Sequence, residues 1–238
     1  MVGRELYIPV EERCAKLRLG NERAEWCICP TELSKESVVY SFGVGTDISF
    51  DLELIKLFGV RVHAFDPTPR AIGWVRSQNL PQEFIFHDYG IGGHDGSEVF
   101  CPPEHPGYVS YSVLPRGGAA APLVEAPVHR LTTIMDMLGH GRVDVLKMDI
   151  EGAEYGVIED FLGSGAPITQ LLVEFHHRWA EVGHENTRRA VRDLKDAGFR
   201  VFHVSGAGEE CSFKRTESRR SAVTDRNVAS EISPWHRR

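Results

Sequence analysis

The stretch that decides the fold is Val38–Ser49, which reads VVYSFGVGTDIS. Its β-branched and aromatic start predicts a buried strand, and Gly43 and Gly45 predict a tight turn into a helix. Glycine suits such a turn because a ligand can approach the backbone more closely than a Cβ would allow. A second predicted strand, 62–65, ends at Asp66. An acid about 20 residues beyond such glycines can hydrogen-bond both ribose hydroxyls of a nucleotide, so the stretch predicts a nucleotide-binding α/β unit.

Strands and helices alternate through the rest of the chain, which predicts a mostly parallel sheet with helices on both faces. The pattern predicts five helices: one at 50–58, one that begins after a Thr68 cap, one at 131–138, one that begins after residue 154 and one at 186–197. It predicts further strands at 83–87, 143–148 and 168–174. Residues 200–204 and 211–213 are expected to form a terminal antiparallel hairpin.

The domain boundaries follow changes in composition. Residues 1–36 are expected to form an N-terminal arm or cap, with a helix and an extended segment over the cofactor edge of the sheet, or simply a cover for the core. Residues 37–215 form the predicted α/β domain. Its segment 90–127 is dense in glycine and proline, which indicates a loop or hairpin insertion with a short strand near 98–100. Residues 216–238 are expected to be a mobile tail.

Polar or glycine-rich features stand at the carboxyl ends of five predicted strands. They are Ser41–Gly45, Asp66, Asp88, Asp149 and Glu174–His176. Ligands of such folds bind beyond the carboxyl ends of the strands. We therefore expect these features to form one site.

Composition narrows the expected partners and location. The 238 residues are enough for one large α/β domain, and their net charge of −7 gives no electrostatic help in binding nucleic acid or an anionic membrane. The chain shows no apolar run of membrane-spanning length, no signal-peptide core and no disulfide-dense cysteine pattern. A cytoplasmic protein with neither a nucleic-acid nor a membrane partner is expected, and its oligomeric state stays open.

Residues 145–154 read VLKMDIEGAE, which closely resembles the motif of the FkbM-type methyltransferases. Residues 40–49, YSFGVGTDIS, and 64–69, AFDPTP, are similar to the methyltransferase-like branch of that family. The resemblance covers residues 38–179. It implies a Rossmann-like class I methyltransferase with a mostly parallel seven-stranded sheet, a C-terminal antiparallel hairpin and S-adenosylmethionine as cofactor.

The same resemblance implies which residues contact the cofactor. Gly43 and Gly45 would line its methionine and ribose parts, Asp66 would bind the ribose hydroxyls, and Asp88 would approach the adenine amino group. Ser41 stands where the first strand of the family usually ends in an acid. It is the candidate contact for the amino group of the cofactor.

The candidate catalytic residues follow the fourth and fifth strands. A hydroxyl acceptor must lose its proton to a base, or to solvent once a metal has lowered its pKa. We expect Asp149 to be the centre of the chemistry, with Glu174 beside it, His176 and His177 as candidate bases, and Lys147 as an ion-pair partner of Asp149. Asp149 and Glu174 also occupy positions similar to the carboxylates that bind a divalent cation in catechol-type O-methyltransferases, which makes Mg²⁺ a candidate second cofactor.

The expected function is that of an S-adenosylmethionine-dependent methyltransferase acting on an oxygen of a small molecule or sugar. One alternative is an NAD(P)-binding oxidoreductase, because Asp66 suits the ribose of NAD equally well. Against it, Ile48 stands where G-x-G-x-x-G has its third glycine, and no Tyr-x-x-x-Lys pair follows the third strand. The other alternative is a non-catalytic cofactor-binding module, which the polar residues Asp149, Glu174 and His176 disfavour.

Overall fold

A computed structural model describes residues 6–22, 24–103, 110–114 and 122–216. Its strands are β1 (Leu17–Leu19), β2 (Trp26–Ile28), β3 (Val38–Phe42), β4 (Arg61–Phe65), β5 (Phe84–His87), β6 (Gly90–Ile91), β7 (Gly96–Phe100), β8 (Val124–His129), β9 (Val143–Met148), β10 (Ile168–Glu174), β11 (Phe199–Val204) and β12 (Glu210–Arg215). Its helices are α1 (Ser49–Phe58), α2 (Pro69–Arg76), α3 (Leu131–Leu138), α4 (Glu154–Ser164) and α5 (Gly183–Asp196), with a short 3₁₀ helix at Pro30–Glu32. Within these ranges no helix combines the length and apolarity that a membrane crossing requires.

The main sheet has seven strands in the order β11-β12-β10-β9-β3-β4-β5. Strands β10, β9, β3, β4 and β5 pair in parallel, whereas β12 is antiparallel to both β10 and β11. The chain runs outward from β3 to β4 and β5 and later returns to β9 on the other side of β3. That reversal is a topological switch point, where α/β folds bind their ligands. The predicted sheet with its C-terminal antiparallel hairpin is confirmed.

Helices cover both faces of the sheet, as predicted. Along β3, Val39 packs on the face of α1 and α2, whereas Tyr40 and Phe42 pack on the face of α3, α4 and α5. This alternation follows from the two-residue period of a strand. It also places Ser41 and, on β9, Lys147 on the face of α1, because Leu146 and Met148 belong to the opposite core.

The N-terminal arm differs from the prediction. Residues 6–22 and 24–36 contain no α-helix and instead form the antiparallel β1–β2 hairpin. Side chains of the main sheet fix this hairpin: Gln170 exchanges two hydrogen bonds with the backbone of Cys29 (2.8 and 2.9 Å), and the Ser212 hydroxyl donates to the carbonyl of Cys27 (2.8 Å). The helix prediction was wrong because these partners are far away in the sequence.

The predicted insertion contains a small sheet of its own. Strands β6, β7 and β8 pair in the order β6-β8-β7, and the strand predicted near 98–100 is part of β7. Residues 104–109 and 115–121 of this insertion lie outside the described residues, as does the predicted tail beyond Thr216. The domain boundaries as a whole stay a prediction.

Candidate active site

A cavity of about 450 Å³ lies where the carboxyl ends of β3, β4, β9 and β10 meet. This volume is typical of small-molecule sites. Among the residues predicted from the sequence, those that line the cavity are Gly43, Gly45, Asp66, Asp149 and Glu174. Ser41, Asp88, His176 and His177 are not part of the cavity wall.

The turn after β3 needs glycine for two reasons. Gly43 and Gly45 have φ angles of +74° and +52°, in the left-handed region that favours glycine. In addition, a Cβ at Gly43 would lie 1.6 Å from the backbone oxygen of Asp149. The glycine at position 43 is therefore required by the close approach of the chain after β9, a contact that the sequence prediction did not include.

Asp66 is held in place by the backbone around it. Its Oδ2 accepts a hydrogen bond from the Gly45 amide (3.0 Å), and its Oδ1 accepts from the amide (2.9 Å) and the hydroxyl (2.6 Å) of Thr68. Only 5% of Asp66 is exposed, and this burial raises the pKa of its carboxyl although the hydrogen bonds oppose the rise. A carboxylate oxygen can accept about two hydrogen bonds, so Oδ2 keeps acceptor capacity for a ligand.

Two predicted cofactor contacts are placed elsewhere. Asp88 forms an ion pair with Arg76 on α2 (2.9 Å), and 56% of its side chain is exposed. Ser41 is fully buried, and its hydroxyl has no hydrogen-bond partner among the described residues. Neither side chain lines the cavity.

Lys147 has different partners from those predicted. Its ammonium group donates to the carbonyls of Gly43 (2.9 Å) and Phe42 (3.3 Å) and lies 5.3 Å from the ring centre of Trp26. Its charge also lowers the pKa of Asp51, which faces the cavity from the first turn of α1. Among the described residues it forms no ion pair with Asp149, because its ammonium group instead binds the two carbonyls that follow Ser41, its pairing partner on β3.

Asp51 is a functional candidate that the sequence analysis missed. It is 2% exposed, and burial raises the pKa of its carboxyl to about 6, although the charge of Lys147 opposes the rise. A signal for it was present in the sequence. Asp51 lies three residues before Leu54 on the buried side of α1, so an acid had to point toward the core.

The turn between β9 and α4 is organised by a buried carboxylate, Glu154. This side chain is fully buried and accepts hydrogen bonds from the amides of Ile150 (3.3 Å) and Gly152 (3.1 Å). Between them, Glu151 has a φ of +53°, a left-handed conformation that is uncommon for residues other than glycine. The turn thereby directs the Asp149 and Glu151 side chains toward the cavity, which both of them line.

His176 lies behind these carboxylates, with 7% of its side chain exposed. Its Nδ1 hydrogen-bonds Glu154 Oε1 at 2.9 Å, and its Nε2 lies 3.4 Å from Glu151 Oε2, 3.9 Å from Asp149 Oδ1 and 4.0 Å from Glu174 Oε1. Burial alone would lower the pKa of His176, but the hydrogen bond to Glu154 and the surrounding negative charges raise it to about 10. An imidazole with such a pKa is protonated at neutral pH, so in this state His176 is not a base.

Asp149 and Glu174 share the acidic part of the cavity wall. Burial raises the pKa of Glu174 to about 9, and the charge of Asp149 adds to the rise. Asp149 Oδ1 is inaccessible to solvent and has no hydrogen-bond partner among the described residues. The two predicted carboxylates are thus brought together at one end of the cavity.

His177 points away from the cavity. It is 4% exposed, its ring centre lies 5.0 Å from that of His184, and burial lowers its pKa to about 4. The geometry therefore favours Asp149 and Glu174 over the two histidines as groups that can touch a substrate.

Two hairpins complete the cavity wall. The residues that they contribute include Arg18, Glu22, Trp26 and Cys27 from the N-terminal hairpin and His203, Ser205, Glu210 and Ser212 from the β11–β12 hairpin. The turn of the N-terminal hairpin is tied to the start of α1, since the Asn21 amide donates to the Ser49 hydroxyl (2.8 Å). None of these residues was predicted, because none of them follows a parallel strand.

The sequence matches the family model described as the methyltransferase FkbM domain over residues 40–201. Two curated relatives, both called "probable methyltransferase-like protein 24", are 27% identical to it: the human protein over 181 residues and the rat protein over 182 residues. The matches cover 71% and 72% of this chain but only 43% and 44% of the relatives. The chain thus spans less than half the length of the curated relatives that it matches.

Solved structures with a related fold are more distant. One is Aeropyrum pernix fibrillarin with natively bound S-adenosyl-L-methionine. Its TM-score is 0.41 and its identity 11%, and the match covers 77% of this chain and 67% of that one. Another is the complex of the Haloferax volcanii Trm112 methyltransferase activator with the putative methyltransferase. Its TM-score is 0.37 and its identity 12%, and the match covers 71% of this chain and 64% of that one. Similarities this low carry no conclusion about ligands.

Proposed function

The chain belongs to the FkbM methyltransferase family, and we propose that it transfers a methyl group from S-adenosylmethionine to an oxygen of a small molecule or sugar. One observation carries this proposal: a single cavity is lined both by the Gly43–Gly45 turn with Asp66 and by the carboxylates Asp149 and Glu174. The first group suits a nucleoside, and the second suits a hydroxyl that must lose a proton.

The residues at the first end fit the ribose of the cofactor. Asp66 is held by Gly45 and Thr68, and Oδ2 keeps acceptor capacity for one further hydrogen bond from a ribose hydroxyl. The positive φ angles of the turn leave backbone rather than side chains facing the cavity at Gly43 and Gly45. S-Adenosylmethionine, when bound, supplies a methyl group that its sulfonium makes electrophilic.

The residues at the second end fit an acceptor hydroxyl. The attacking oxygen must lose its proton as its bond to the methyl carbon forms, and the electron pair of the breaking carbon–sulfur bond stays on sulfur. Asp149 lines the cavity, and its carboxylate can receive that proton. Because the transfer is an in-line displacement, placing both reactants in one cavity contributes much of the rate.

An oxidoreductase is the weaker alternative. Asp66 alone would suit the ribose of NAD, but the family match favours a methyl donor.

The experiment that tests this function is methyl transfer from labelled S-adenosylmethionine to panels of hydroxyl compounds, sugars and amines. We expect label in the first two panels. Asp149→Asn should lower turnover by about a hundredfold or more while cofactor affinity stays within a few-fold. Asp193→Asn, on an exposed part of α5, is the matched control and should keep full turnover. Label in amines alone, or full turnover of Asp149→Asn, would show that the acceptor or the centre of the chemistry is different.

A further inference from the structure

The contact between Glu154 and His176 fixes the orientation of the imidazole. Glu154 is fully buried and pairs with Nδ1 at 2.9 Å, so the opposite nitrogen, Nε2, faces Asp149 and Glu151. Histidines that bind metals usually have this arrangement, in which a carboxylate holds one ring nitrogen and the other nitrogen is the ligand.

The Nε2 atom belongs to a side chain that is 7% exposed. Its distances to Glu151 Oε2 (3.4 Å) and Asp149 Oδ1 (3.9 Å) exceed the roughly 2.7–3.2 Å of an N–H···O bond. Asp149 Oδ1 is buried without a hydrogen bond among the described residues. Nε2 and Asp149 Oδ1 thus face each other from different elements at a distance too long for a hydrogen bond.

We propose that Asp149, Glu151 and His176 bind one divalent transition-metal ion, for which Mn²⁺ is the probe of choice. One ligand atom from each of these residues lies within 4.8 Å of the other two, so small side-chain movements bring all three to bonding distance of one ion. Glu154 orients His176 without being a ligand. The ion takes the place of the Nε2 proton that the imidazole carries in the absence of metal, and that proton is released to solvent.

The donor set distinguishes this site from a magnesium site at Asp149 and Glu174. Mg²⁺ prefers oxygen ligands with several waters, whereas imidazole nitrogen suits divalent transition metals such as Fe²⁺ and Zn²⁺. Mn²⁺ suits the two carboxylates and is paramagnetic, which makes it the probe. The left-handed φ of Glu151 has a role in this arrangement. It turns the carboxylate of Glu151 to the same side as that of Asp149, two residues earlier.

This site deepens the proposed function, and its catalytic meaning rests on that function. Asp149 and Glu151 line the cavity, so an ion held by them could also bind the acceptor hydroxyl and lower its pKa. Metal binding itself does not depend on methyl transfer and is measured without it.

The test uses the full chain, freed of metal with a chelator and titrated with MnCl₂ while the free Mn²⁺ signal is followed by electron paramagnetic resonance. We expect saturation at one ion per chain. Spin-echo modulation of the bound ion should show coupling to an imidazole ¹⁴N. Saturable binding that lacks nitrogen coupling would overturn the assignment of His176, and no saturable binding by the folded chain would overturn the site.

Variants separate the ligands from the orienting residue. Glu151→Gln should weaken Mn²⁺ binding at least tenfold, and Glu154→Gln should weaken it by about 10–100-fold, the usual effect of losing such an orienting carboxylate. Glu185→Gln, exposed on α5, is the matched control and should bind as the unmodified chain does. Binding that survives Glu151→Gln unchanged would contradict the proposal. Calorimetry with S-adenosylhomocysteine on the same samples reports the cofactor site separately.

Discussion

At the scale of single residues, the proposed cofactor site depends on Asp66. Its position after β4 was predicted from its spacing to the glycines, and its side chain does line the cavity. The structure adds that Gly45 and Thr68 hold both of its oxygens. A carboxylate held in this way loses little conformational freedom when a ribose binds. Its hydrogen bonds to the ribose should therefore contribute to the binding free energy with little loss of entropy.

Replacing Asp66 by alanine should weaken binding of S-adenosylhomocysteine by about tenfold to a hundredfold. The reason is that hydrogen bonds to a charged group contribute roughly 1.5–3 kcal/mol. Asp88→Ala is the matched control, since Asp88 pairs with Arg76 and does not line the cavity. Calorimetric titration of the three proteins measures both effects. Equal losses for the two variants would mean that Asp88 contacts the adenine after all.

Several site residues were misplaced by sequence reasoning for one common reason. A position at the end of a strand fixes where the backbone lies but leaves the direction of the side chain open. Ser41 points to the face of α1, and Asp88 turns to Arg76. The partner of Lys147 was also mispredicted, because two backbone carbonyls of the neighbouring strand compete with Asp149.

At the scale of elements, the turn after β3 and the turn after β9 depend on each other. Gly43 is in contact with the backbone of Asp149, so the cofactor end and the acidic end of the cavity meet at one point. The sequence identifies each turn separately, through the glycines and through the 149–154 motif. Their contact could not be predicted, because it requires β3 and β9 to be neighbours in the sheet.

Gly43→Ala should destabilise the chain by more than about 3 kcal/mol, because its Cβ would lie 1.6 Å from the Asp149 oxygen and its φ is +74°. Gly73→Ala is the matched control. Position 73 lies inside α2 with nothing within 4 Å of a new Cβ, so alanine there should stabilise by roughly 0.5–1 kcal/mol. Urea unfolding of both variants measures these changes, and a small effect at Gly43 would show that the two turns can separate easily.

The N-terminal hairpin shows the limit of local patterns. Its strands have three residues each, and the bonds that fix it come from Gln170 and Ser212. Those partners lie 141 and 185 residues away in the sequence. No periodicity within residues 1–36 could therefore indicate that this segment forms a cavity wall.

At the scale of the whole molecule, the mostly parallel sheet with helices on both faces was predicted from the alternation of strands and helices. The long parallel strands β9 and β10 were predicted with their observed ends, because buried apolar runs bounded by polar residues give a strong signal. The order of the strands and the two-hairpin wall depend on contacts between distant segments. The sequence therefore predicts the strand-end residues of the cavity better than its two-hairpin wall.

The contribution of His63 to the stability of the molecule should fall as the pH drops from about 6.5 toward 4. The ring of His63 packs against Tyr40, His87 and His140, and its Nδ1 lies 3.0 Å from Nε2 of His87. Burial, with the charges of His140, His87 and Arg61, lowers the pKa of His63 to about 4. In this window position 63 binds more protons in the unfolded chain, where the histidine pKa is near 6.5, than in the folded chain, so its contribution to the free energy of unfolding decreases with falling pH. Glu174 and Asp51, with pKa values raised to about 9 and about 6, act in the opposite direction, so the effect of His63 is the difference between its variant and the unmodified chain.

Urea midpoints at pH 7.5, 6 and 5 measure this slope. His63→Phe keeps a ring of similar size without a titrating nitrogen and should flatten the slope. His94→Gln, half-exposed at the start of the insertion, should leave it unchanged. If His63→Phe and the unmodified chain lose stability equally, other groups cause the acid sensitivity.

The central claim is that the end of the cavity formed by Gly43, Gly45 and Asp66 binds the nucleoside of a methyl donor. Isothermal calorimetry of the full chain with S-adenosylhomocysteine and, separately, with NAD tests it most directly. We expect S-adenosylhomocysteine to bind at one site per chain and NAD to show no saturable heat. Saturable binding of NAD without binding of S-adenosylhomocysteine would contradict the account.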